Sequence, residues 1–101
     1  MREILIIEDD ADLREGLSFA METEGYRVRT AGTKLEGMQL IKRKSWALIL
    51  LDCNLPDGSG FDLCREAGRY TDAPVFVLTA RATEMDEVKA LELGAADYMS
   101  K

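Results

Sequence analysis

The chain contains no histidine and only two cysteines. Without imidazole, Ser–His and Cys–His nucleophilic pairs and most zinc sites are excluded. Cys53 and Cys64 form no CxxC pair, and both are expected to be ordinary reduced thiols. Long hydrophobic runs are missing as well. None approaches a membrane span, and the start "MREILIIEDD" lacks a signal-peptide core and cleavage site. Positive charge is in deficit, with 13 Lys and Arg against 19 Asp and Glu, a net charge of −6. That balance argues against direct nucleic-acid contact through a general basic surface. Repeats, low-complexity tracts and internal linkers are absent. Any chemistry must therefore run on carboxylates, hydroxyls, lysines and backbone, and a cytoplasmic location is expected.

What remains is ordinary for a folded domain: 101 residues, 47% hydrophobic and 32% charged, enough for one domain over residues 1–101 with a single core. Strand-like apolar runs recur at Ile4–Ile7, Tyr26–Thr30, Ala47–Leu51, Val75–Leu78 and Tyr98–Met99. Three of them are apolar almost without interruption, as parallel strands covered on both faces would be. Helical patterns fill the gaps. Leu13, Leu17, Ala20 and Met21 share one face after Asp10, and Gly25 stops that helix. Thr33 and Glu36 read as a capping box, followed by Leu35, Met38 and Ile41 at helical spacing. A third helix begins near Ser59 with Phe61, Cys64 and Ala67 inward, and a fourth covers roughly residues 84–93 before Gly94. Pro56, Asp57, Gly58 and Gly60 mark a turn-rich loop. Strand–helix alternation with short connections predicts an α/β fold with a parallel sheet, and right-handed crossovers then gather all strand C-termini on one edge.

That edge collects acids. The first strand ends in Glu8-Asp9-Asp10, the third in Asp52, the fourth in Thr79, and the fifth leads to Lys101. Asp10 has a simpler use as the cap of the first helix. A carboxylate ending a strand that is apolar on both faces is costly to desolvate without compensation, and neighbouring acids repel unless a cation shares the site. An oxygen-only donor set favours a hard ion such as Mg²⁺, and aspartate is a covalent phosphoryl acceptor in several enzyme classes. Asp9 and Asp52 can hold the metal, Lys101 can supply a fixed positive charge, and Thr79 with backbone N–H groups can donate to phosphoryl oxygens. Asp52 is then the nucleophile.

The stretches "ILIIEDD", "LILLDCNLPDGSGFDLC", "PVFVLTAR" and "LGAADYMSK", in that order, resemble the receiver domain of two-component response regulators over essentially the whole chain. The resemblance implies a flavodoxin-like, doubly wound five-stranded parallel sheet of order 2-1-3-4-5. It implies a Mg²⁺-dependent phosphoacceptor at Asp52, served by a sensor histidine kinase. Asp9 would bind the metal directly, Glu8 through water, and Asn54 through its main-chain carbonyl. Thr79 would be the switch hydroxyl, Tyr98 the rotating aromatic and Lys101 the active-site lysine. Phosphorylation would repack the surface of the fourth helix and fifth strand and so control an output domain. The domain would catalyse its own phosphorylation and dephosphorylation, a switch more than an enzyme. "TAR" and "GAADY" lean toward the winged-helix DNA-binding branch, which dimerises through an outward Val88/Leu91 patch with charged partners such as Lys89 and Asp97. Glu87 and Ala96 depart from the residues usual there.

Members of this family continue past the lysine into a fifth helix, whereas this sequence stops at Lys101. The expectation is apolar surface left open on one face of the sheet. Three other readings compete. A phosphohydrolase of the haloacid-dehalogenase type would carry an Asp-x-Asp pair on the first strand. A flavodoxin-like cofactor binder would want hydroxyls and backbone donors in the acidic loop after Ile7. An interaction module that works without phosphorylation would not need Asp9, Asp52, Thr79 and Lys101 together.

Overall fold

The computed structural model describes residues 2–52, 54–79 and 97–100. Along the chain run β1 (Glu3–Ile7), α1 (Ala11–Thr23), β2 (Arg27–Ala31), α2 (Lys34–Arg43) and β3 (Leu48–Asp52). They are followed by β4 (Asn54–Leu55), β5 (Gly58–Ser59), α3 (Gly60–Ala67), β6 (Val75–Thr79) and β7 (Asp97–Ser100). Five strands form one parallel sheet of order β2-β1-β3-β6-β7. Counting only those five, this is the expected 2-1-3-4-5. The helix expected over residues 84–93 lies outside the described residues.

Both faces of the central strands are covered, which is why their sequences do not alternate. Leu5 and Ile7 of β1, Ile49 and Leu51 of β3, and Val75 and Val77 of β6 join one core cluster with Leu40, Ile41, Leu63, Cys64 and Ala67 from α2 and α3. Ile4, Ile6 and Leu50 form the opposite cluster, against which Leu17 and Met21 of α1 pack. This second face is the more open one. No residue of α1 is buried, and Leu48 and Phe76 are only partly covered.

The helix ends follow their sequence signals closely. Asp10 caps α1, its Oδ1 accepting from the N–H groups of Asp12 (3.0 Å) and Leu13 (3.2 Å). At the other end Gly25, with φ of +95°, donates to Glu22 O at 3.0 Å while Tyr26 donates to Met21 O at 3.2 Å, the paired bonds of a Schellman closure. Because the Tyr26 N–H is spent there, β2 begins at Arg27, one residue later than expected. Thr33 caps α2 by accepting from Glu36 N–H at 3.1 Å, and Glu36 accepts in return from Gly32 N–H at 2.9 Å.

Helix faces needed correction at three places, and one loop proved to be paired. Ala20 of α1 is exposed, leaving Leu13, Leu17 and Met21 as the inward row. Leu35 is 66% exposed, since the inward positions of α2 are Gly37, Leu40 and Ile41, with Met38 partly buried. In α3, which starts at Gly60, Leu63 is fully buried beside Cys64 and Ala67. Finally, the turn-rich stretch after β3 is a two-rung antiparallel hairpin, pairing Asn54 with Ser59 and Leu55 with Gly58.

Candidate metal and phosphoacceptor site

The register of β1 and β3 builds the site. Ile7 and Leu51 are lateral partners, so the next residue of each strand, Glu8 and Asp52, reaches the sheet edge side by side. Both are buried, at 0% and 1% exposure, while Asp9 is exposed. One carboxylate oxygen from each of Glu8, Asp9 and Asp52 falls within 4.8 Å of the other two.

Glu8 is fixed through its backbone. Its N–H donates to Ala31 O at 2.9 Å, continuing the ladder to β2, and its carbonyl accepts from Arg14 Nη1 at 2.9 Å. Its Oε2 accepts from the N–H of Asp9 at 3.1 Å. Asp10, the third acid in the row, is directed to α1 as its cap and is no part of the cluster among the described residues. Three carboxylates, two of them buried, with no sulfur or imidazole among them, make a donor set for a hard divalent cation. The residues present fit such an ion.

Three further expected site residues, Asn54, Thr79 and Tyr98, are placed by their backbones. Asn54 follows in β4. Asp52 pairs with Leu78, which places Thr79, the last residue of β6, one step further along that edge. Thr79 in turn pairs with Ser100, and Val77 with Tyr98. Lys101 lies outside the described residues, as do Cys53, Glu87, Val88, Lys89, Leu91 and Ala96. Cys64 sits in the core, where burial pushes its thiol pKa up. That environment suits an inert packing thiol.

One residue of the site region was missed by sequence reasoning. Asp57, at the tip of the β4–β5 hairpin, accepts from Lys34 N–H at 2.6 Å and from Leu35 N–H at 3.0 Å. These two bonds hold its carboxyl below the usual carboxylate range. In sequence Asp57 looked like a turn residue, and nothing local points to partners so far upstream. Among the described residues, no helix is long and apolar enough to cross a membrane.

Comparison with known proteins agrees with this fold. KdpE, the KDP operon transcriptional regulatory protein of Escherichia coli, is 41% identical over 101 residues, covering all of this chain and 45% of the relative. AfsQ1 of Streptomyces coelicolor, a transcriptional regulatory protein, is 40% identical with the same coverage. The chain thus spans under half the length of these curated relatives. Among solved structures, a two-component response regulator from Clostridium difficile superposes with a TM-score of 0.96 at 30% identity, over 100% of this chain and 84% of that one. A Burkholderia pseudomallei response regulator, described with a phosphorylated aspartic acid, calcium ion and citrate, gives 0.94 at 30% identity, over 100% of this chain and 60% of that one. The response regulator receiver domain family matches residues 4–101. This chain belongs to that family of two-component receiver domains.

Proposed function

We propose that residues 1–101 act as a phosphoacceptor receiver domain in which Asp52 takes a phosphoryl group from a sensor histidine kinase. The observation that carries this reading is the clustering of the Glu8, Asp9 and Asp52 carboxylates within 4.8 Å at the C-terminal edge of the sheet. The phosphorylated aspartate and calcium ion named for the Burkholderia relative support it.

In this reading a carboxylate oxygen of Asp52 attacks the phosphorus of a phosphohistidine. The P–N bond breaks, the imidazole nitrogen keeps its electron pair, and an acyl phosphate forms. The direct ligands of Mg²⁺ would be Asp9, Asp52 and the main-chain carbonyl of Asn54, with Glu8 bound through water. Bound there, the ion neutralises charge on the transferring oxygens. The Lys101 ammonium pairs with the same oxygens, and the Thr79 hydroxyl donates to one of them. Movement of Thr79 frees space for Tyr98 to turn inward, so a local charge change is converted into a new surface around β7. An output domain in the full-length protein, for which we propose DNA binding, reads that surface in the cytoplasm; the names of the relatives as transcriptional regulatory proteins support this. The chemistry proposed for the receiver itself is limited to its own phosphorylation and dephosphorylation.

The test is intact mass after incubation with acetyl phosphate. The folded chain gains one phosphoryl increment with Mg²⁺ and none when EDTA replaces it. No increment with Mg²⁺, from a chain folded by circular dichroism, would transfer support to an interaction module that works without phosphorylation.

A further inference from the structure

The segment that follows Asp52 is held at two points. Leu55 is 8% exposed and belongs to the larger core cluster. Two residues on, the Asp57 carboxylate spans the first two amides of α2, Lys34 N–H at 2.6 Å and Leu35 N–H at 3.0 Å. The next residue packs directly on the same turn, because a Cβ built on Gly58 would lie 2.9 Å from Cδ of Lys34. α2 needs a cap at those amides, since Thr33 supplies an acceptor only for Glu36 N–H. The hairpin therefore completes the helix, and the helix anchors the hairpin. Between β3 and these anchors lies Asn54, whose main chain pairs with Ser59.

We infer that Asp57 is a positioning residue for the cation site: by clamping the β4–β5 hairpin to α2 it fixes the backbone of Asn54 beside Asp52. The inference rests on the proposed reading of Asn54 as a main-chain metal ligand. Asp57 touches neither metal nor phosphoryl group; it acts through the hairpin. Supporting groups around a metal site commonly change affinity by about 10–100-fold when removed, and a main-chain ligand has no side chain with which to hold itself. Its geometry depends on what pins the segment.

The experiment measures Mg²⁺ affinity by calorimetry and thermal stability for Asp57→Ala, Asp57→Asn and Thr33→Ala, each checked for folding by circular dichroism. Thr33→Ala damages the cap of the same helix end but leaves the clamp, so it separates general loosening of α2 from loss of position. Asp57→Ala weakens Mg²⁺ binding by about tenfold, Thr33→Ala lowers Tm with affinity within about twofold of the unaltered chain, and Asp57→Asn, keeping one acceptor oxygen, falls between. Faster amide exchange at Lys34 and Leu35 accompanies the Asp57 variants. An unchanged affinity in Asp57→Ala, or an equal loss in Thr33→Ala, overturns the inference while leaving the proposed function standing. Failure of the unaltered folded chain to bind Mg²⁺ overturns both.

Discussion

Gly37 of α2 lies against Ile7, the last residue of β1: a Cβ built on the glycine would sit 2.7 Å from Cδ1, 3.0 Å from Cγ2 and 3.1 Å from Cγ1 of that side chain. Ile7 is fully buried, so it has little room to retreat. Gly37→Ala should gain up to about 1 kcal/mol from helix propensity yet lose more to overpacking, which costs about 1–3 kcal/mol. Urea denaturation should show a net loss of stability. A more stable variant would mean that α2 can lift from the sheet without cost.

Much of this fold could be read in advance because its signals are local. Asp10, the Thr33–Glu36 pair and Gly25 each act within a few residues, and each does what its residue type suggests. The apolar runs ending at Ile7 and Leu51 pointed to strands covered on both faces, and the carboxylates following them to a shared site. Failures came where the cause is distant or two-dimensional. Asp57 bonds to α2, 23 and 22 residues upstream. Leu35 kept helical spacing but sits on the first turn, away from the sheet. Leu63 was overlooked because Phe61, Cys64 and Ala67 alone made a plausible stripe. The β4–β5 hairpin, with two rungs, is too short to show a period of two.

The Asp57 clamp has a pH signature. Its carboxyl is held below the ordinary 3.8 by the two α2 amides, so it contributes stability above that value and loses it as pH falls through the lower folded value. Glu3, lowered by its hydrogen bond to Lys44 at 2.9 Å, has the same sign, but it is common to both chains in a comparison with Asp57→Asn. The difference in unfolding free energy between the unaltered chain and that variant should be flat near neutrality and shrink below 3.8. A difference that widens on acidification would contradict the assignment.

Asp9 is the exposed member of the carboxylate cluster, so its replacement removes a proposed ligand without leaving a hole in the core. Asp9→Asn should bind Mg²⁺ at least about tenfold more weakly, given that even groups outside the metal's immediate ligands cost this much. Its Tm without metal should stay close to that of the unaltered chain. Calorimetric titration reads the first and a thermal melt the second. Equal Mg²⁺ affinity in the two chains would remove Asp9 from the site.

The most direct test of the whole account compares intact masses of the unaltered chain and Asp52→Ala after acetyl phosphate and Mg²⁺. The account predicts a single phosphoryl increment on the former and none on the latter, with both folded. An increment that persists in Asp52→Ala would contradict it.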